Sequence, residues 1–220
     1  MNDKKELVIL GDSFCHGIGT VSPHKNILNT QQAFGRYLAE HYGLAYVNLA
    51  EPGISISRTA ELGYNYILEN RNKIERVVVG WTHPGRIGLY SDCASWQILP
   101  QYMLLGDTAD SDVFTEDNYI TDRNNQQHLK LLPQVHRIII ENDFFHGQFS
   151  VSKMIITLFK TWLDSIELDY VDFNVFPGYD MINPAPTSQL TFNQVLNPVR
   201  HPNSIEQAEF AKLLIQDLAR

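Results

Sequence analysis

The chain has 220 residues, 44% of them hydrophobic and 19% charged, which suits a single domain with its own core and excludes intrinsic disorder. Its 17 basic residues are outnumbered by 25 acidic ones, for a formal charge of −8, and they are scattered, which argues against a nucleic-acid or anionic-membrane footprint. The two cysteines, Cys15 and Cys93, lack CxxC or Cys/His zinc spacing, so neither a disulfide framework nor a structural metal is expected.

Glu6 to Leu10 reads as a short strand ended by Gly11-Asp12-Ser13. Within residues 31–42, Phe34, Tyr37, Leu38 and Tyr42 recur at helical spacing, so a strand, a loop and a helix follow one another. Ala45 to Leu49 reads as a second strand, Glu51-Pro52-Gly53 as a turn and Ser57 to Asn70 as a helix. Glu75 to Gly80 is a third strand, whose consecutive valines predict burial on both faces, as in a parallel sheet. The alternation implies a three-layer α/β/α sandwich around a central parallel sheet.

From Trp81 to about Val135 no period persists, and residues 81–135 are expected to be an irregular insertion or lid within one domain spanning 1–220. Arg137 to Glu141 reads as a strand or the start of a long helix, Val151 to Ile166 as a helix, and Leu168 to Phe176 as a strand. Ser204 with Gln207 reads as a capping box that opens a final helix through about Leu218. Leu7 to Leu10 is too short for a signal-peptide core, and no later segment reaches the length of a membrane span. A cytoplasmic location without membrane attachment is therefore expected.

Ser13 stands where the first strand ends, and in open α/β sheets functional groups collect beyond the carboxyl ends of strands. A nucleophilic serine needs a base from elsewhere in the chain. Of the eight histidines, His201 lies in the loop before the last helix, with Pro202 fixing the backbone just after it. Acyl transfer also needs donors for a developing oxyanion. Gly53 after the second strand offers a backbone N–H that a ligand can approach, and Thr82 after the third offers a hydroxyl.

Gly11-Asp12-Ser13, Gly53, Gly80-x-Thr82 and His201, in this order along the whole chain, resemble the blocks of the SGNH (GDSL-type) hydrolases. The resemblance implies a flavodoxin-like sandwich, with Ser13 as nucleophile and His201 as base. It also implies an oxyanion hole made by the Ser13 N–H, the Gly53 N–H and the residue at position 82. Two positions depart from the family pattern. The third block carries Thr82 in place of an asparagine, and loss of one such donor costs about 10²–10³ in kcat. Three residues before His201 the family places an aspartate where this chain has Pro198. An aspartate that orients the base is worth on the order of 10⁴ in kcat in serine proteases. Asn197 or a local carbonyl is the substitute expected here, and some family members work with a Ser-His pair alone.

Trp81-Thr82-His83-Pro84-Gly85-Arg86 is more loosely similar to a variant of the third block in phage-encoded relatives, which extends the expected locations to a virion. Trp81, His83 and Arg86 are accordingly candidate substrate-binding residues, the ring for a sugar face and the guanidinium for a carboxylate or phosphate. Gly17-Ile18-Gly19 lacks the third glycine of a dinucleotide fingerprint. Cys15, His16 and His83 show no metal-ligand spacing, and Asp107 to Asp117 lacks the EF-hand pattern, so no cofactor or metal is expected.

The resemblance implies a serine hydrolase of small-molecule or glycan esters, with O-acetyl groups on carbohydrate as the favoured substrate. The alternative is an SGNH-like domain that binds glycan or serves as a structural component, for example of a virion.

Overall fold

A computed structural model describes residues 4–17, 30–84, 87–91, 94–98, 144–177, 182–195 and 201–219. Four segments pair into one parallel sheet: β1 (Glu6–Leu10), β2 (Ala45–Asn48), β3 (Ile74–Trp81) and β6 (Asp169–Asn174), in the order β2-β1-β3-β6. Val8 stands opposite Val47 on one side and Val77 on the other, and Val78 stands opposite Val171.

Side chains alternate across each strand, and the sequence supplies apolar residues at nearly every position, so both faces demand cover. Leu7, Ile9, Val78, Val171 and Phe173 face a cluster shared with α2 (Phe34–Tyr42) and α5 (Ser204–Leu218). Val8, Leu10, Val77, Val79 and Trp81 face a second cluster, with α3 (Ile56–Asn70) and α4 (Phe144–Ser165). The result is the α/β/α sandwich that the alternation implied. Its first core is dominated by rings: Phe192 stacks on Phe210 at 4.0 Å, and Phe34 and Phe173 meet both.

Two boundaries differ from the sequence expectation for physical reasons. Residues 87–98 were expected to be irregular, yet Ile87–Ser91 (β4) and Ala94–Ile98 (β5) pair antiparallel as a hairpin with Leu89 opposite Trp96. Residues 99–143, with the segment Arg137 to Glu141, lie outside the described residues. The capping box of α5 is built one residue earlier than Ser204 and Gln207. Asn203 is the N-cap, its Oδ1 accepting from Ile205 N and Glu206 N, while Glu206 Oε2 accepts from Asn203 N. Asparagine is a strong N-cap, and the box returns a carboxylate to the cap's own amide.

Beneath the carboxyl ends of β1 and β3 the packing leaves no room for side chains at two glycines. A β-carbon at Gly11 would stand 2.5 Å from Cys15 Sγ and 2.9 Å from Gly80 O, and one at Gly80 would overlap the same sulfur and touch Phe173. Gly11 also has φ of +145°, a conformation that L side chains rarely adopt. Cys15 therefore fills the gap between two strand ends. Gly80→Ala should lower the free energy of unfolding by about 1–3 kcal/mol through overpacking. Urea denaturation checks this, with a fall in midpoint and an unchanged slope as the expected outcome.

Candidate active site

The nucleophile candidate sits on a helix of one turn, α1 (Ser13–His16), immediately beyond β1. Asp12 is its N-cap, with Oδ1 accepting from Phe14 N at 2.9 Å, and Gly17 closes it with φ of +94°. A single turn is too short to be stable by itself, and its last carbonyls have no intrahelical partner. Side chains from distant elements supply the donors. Asn48 Nδ2, at the end of β2, lies 3.4 Å from both Cys15 O and His16 O, and Gln207 Nε2 of α5 donates to Phe14 O at 2.9 Å.

His201 stands two residues before the N-cap of α5, and its Nε2 lies 2.9 Å from Ser13 Oγ. The two residues are 188 positions apart in sequence. The imidazole packs on the ring of Phe14 at 5.1 Å between centroids, and Phe14 is held edge-on by Phe176 at 4.9 Å. Ser13 is 5% exposed. For Nε2 to accept the serine proton, the imidazole must carry its own proton on Nδ1.

Thr82 follows β3 directly and is fully buried, as is Asp12. Its hydroxyl donates to Asp12 Oδ2 at 2.9 Å. A hydroxyl has one proton. In this arrangement that proton is committed to the carboxylate beside Ser13, and donation to another acceptor requires the hydroxyl to turn about its Cβ–Oγ1 bond and Asp12 to give up a bond. Gly53 lies in the turn after β2 with φ of +74°, which glycine adopts without strain. That turn is anchored to the serine loop by Glu51 N donating to Gly11 O at 3.0 Å.

Trp81 was expected to offer a ring to substrate, but it has no exposed surface. Its indole N–H donates to Asp172 Oδ2 at 3.0 Å, and its ring meets Phe159 of α4 edge-on. Trp81 is the last residue of β3 and alternation turns it into the second core, so it packs where a substrate does not reach. Asp172 is itself fully buried, and its carboxylate also accepts from Lys160 Nζ, Asn183 Nδ2 and Thr187 N at 2.9–3.0 Å. This network fastens the 182–188 segment to the sheet. His83, the next residue but one, is partly exposed at the strand's end. Arg86 and Asn197 lie outside the described residues, so Asn197's link to the base rests on its position four residues before His201. Among the described residues no group of three His, Cys, Asp or Glu is placed to hold a metal ion, and no helix is long and apolar enough to cross a membrane.

The positioning roles of Asn48 and Gln207 escaped the sequence. The carbonyls of α1 that they meet lie more than thirty residues away, and the one local bond, Ala50 N donating to Asn48 Oδ1 at 3.0 Å, signals only a turn.

Burial holds the His16 imidazole below its ordinary value of 6.5. Its Nδ1 is enclosed, with no hydrogen-bond partner among the described residues. Unfolding restores the ordinary value, so between the two values the unfolded chain binds more protons and stability falls as pH drops. The stability difference between wild type and His16→Gln should be flat above about pH 7.5 and move in the variant's favour below about pH 6. Urea unfolding at a series of pH values checks this; an unchanged difference across the range would contradict a half-buried ring held neutral. In the same series, Thr82→Val should cost about 1–3 kcal/mol by leaving Asp12 Oδ2 short of a donor, and Thr82→Ser should cost less.

No family model matches the chain, and no curated protein sequence does. Solved structures do. An acetyl xylan esterase from the rumen bacterium Butyrivibrio proteoclasticus superposes with a TM-score of 0.50 at 10% identity, over 99% of this chain and 64% of that one. A protein of the G-D-S-L family from Desulfitobacterium hafniense DCB-2 gives 0.49 at 11% identity, over 97% of this chain and 99% of that one. A psychrotrophic esterase from Pseudoalteromonas sp. gives 0.48 at 9% identity, over 98% and 97%. At such identities the likeness is one of fold, an α/β fold shared with the acetyl xylan esterase. The similarity of Trp81 to Arg86 to a phage-encoded variant draws no support from these structures.

Proposed function

We propose that this chain is a serine hydrolase of esters, with Ser13 as nucleophile and His201 as its base. The observation that carries the proposal is the 2.9 Å approach of His201 Nε2 to Ser13 Oγ, made at the carboxyl edge of the sheet between residues 188 apart. A hydrogen-bonded nucleophile and base at such an edge is the arrangement that activates a hydroxyl.

In the reaction, Ser13 Oγ attacks the ester carbonyl carbon while His201 Nε2 takes the hydroxyl proton. The carbonyl oxygen becomes an oxyanion and accepts from the Ser13 N–H, which as the first amide of α1 has no intrahelical partner, and from the Gly53 N–H. Collapse expels the alcohol, which leaves with the proton from His201, and water repeats the sequence on the acyl-serine. Asn197, or a carbonyl near it, orients the imidazole in place of the family's aspartate, and the Phe14 ring supports its plane. Thr82 acts as a third donor only when its hydroxyl leaves Asp12. Ser13 is only 5% exposed, which suits a short acyl group, and acetate on carbohydrate is the substrate class favoured. The fold shared with an acetyl xylan esterase supports that choice. His83 and Arg86 lie on the chain just beyond Thr82 and are assigned to the alcohol side.

One observation favours a second reading, a domain that binds a glycan ester without turning it over: the Thr82 proton is committed to Asp12. Turnover separates the two. Hydrolysis of 4-nitrophenyl acetate and fluorophosphonate labelling should be measurable for the wild type, and Ser13→Ala and His201→Ala should each lower turnover at least about 10³-fold. Folded wild-type protein that neither turns over nor labels, yet retains acetylated oligosaccharide, would sink the hydrolase reading in favour of the second. A panel of acetylated sugars against longer acyl esters fixes the acyl preference.

A further inference from the structure

We infer that Gln207 is a positioning residue that sets the distance between Ser13 and His201, an inference that rests on the dyad proposed above. Gln207 is fully buried, and both ends of its amide are used. Nε2 donates to Phe14 O at 2.9 Å, and Oε1 accepts from Phe34 N at 2.8 Å. The chemistry of the partners fixes the orientation of the amide, since a main-chain N–H needs the oxygen and a carbonyl needs the NH₂.

Each bond fills a vacancy that its own element leaves. Phe34 is the first residue of α2, whose N-cap Ala33 makes no side-chain cap, so Gln207 caps that helix from 173 positions away. Phe14 is the residue after Ser13, and its carbonyl belongs to the last, unpaired turn of α1. Gln207 in turn sits in the first turn of α5, joined to His201 by a short and rigid path. Pro202 restricts the backbone, and the Asn203–Glu206 capping box fixes the helix start. The path from His201 through α5 to Gln207, and back through Phe14 O to Ser13, therefore closes a loop whose last side is the Nε2–Oγ hydrogen bond. Phe14 takes part twice, by its carbonyl on Gln207 and by its ring on His201.

Catalytic groups displaced by about 1 Å lose on the order of 10² in rate, whereas binding of substrate need not change. Gln207→Met keeps length and apolar bulk but removes both bonds. For 4-nitrophenyl acetate we expect kcat to fall about 10-fold or more with KM within about twofold, fluorophosphonate labelling to slow in parallel, and the His201 Nε2 nitrogen resonance to move toward its position in Ser13→Ala. Leu163→Ala, in the opposite core layer, is the control: it should lower the melting temperature at least as much and leave kcat and the resonance unchanged. Gln207→Glu provides a rescue, and it keeps the test valid if the methionine variant does not fold. A protonated carboxyl reproduces both bonds and an ionised one has no donor for Phe14 O, so its kcat relative to wild type should recover as pH falls from about 8 to about 6.

A folded Gln207→Met with wild-type kcat and an unmoved His201 resonance would overturn the inference, as would a Gln207→Glu ratio independent of pH. Wild-type protein without turnover or labelling counts against the hydrolase reading alone, because the resonance still reports whether Gln207 holds the pair together.

Discussion

Everything at this site depends on a helix that cannot stand by itself. Four residues form one hydrogen-bonded turn at most, and nucleation of such a turn in water is unfavourable. Here His16 N bonds Asp12 O and Gly17 N bonds Ser13 O, while the carbonyls of Phe14, Cys15 and His16 face side chains of α5 and β2. Asp12 caps the front and is steadied from β3 by Thr82. The serine is thus rigid without belonging to a long element, and neighbours at the carboxyl edge of the sheet share in holding it.

Placing those neighbours together is a property of the sheet. Because β1 is central, the loops leaving β2 and β3 flank its own exit on either side, and the apolar alternation of β1 and β3 sends α2 and α5 to one face and α3 and α4 to the other. In open α/β sheets, functional groups collect at the edge where the strands end. Close fit there is enforced by absence: Gly11 and Gly80 have no side chains, and Cys15 occupies the space they vacate. The hydroxyl of Thr82 is turned toward Asp12 and so serves the loop that presents the serine.

Elements governed by periodicity were readable from the residues. The valines of β3, the apolar stripe of α4 and the order of the β-α units led directly to the parallel sandwich. Short-range competition was harder. Both Asn203 and Ser204 are capping residues with a polar partner three positions on, and only the bonds made decide for Asn203. The hairpin at 87–98 carries glycine and aromatics without regular alternation, so its pairing has little local signature. Trp81 next to a candidate hydroxyl suggested a binding ring, but burial depends on which face of β3 it takes and on a partner, Asp172, ninety-one residues later. Gln207 was noticed for a cap it does not make. Its actual bonds join three helices, and no window of sequence contains them.

The span of those bonds bears on how the protein comes into being on a ribosome. Ser13 leaves the ribosome well before the imidazole and the amide that meet its helix, which lie at 201 and 207. A nascent chain can lay down β1, β2 and β3 while Ser13 still lacks its histidine. The Ser13–His201 pair forms only as α5 docks, so a translation product arrested before residue 201 cannot make it.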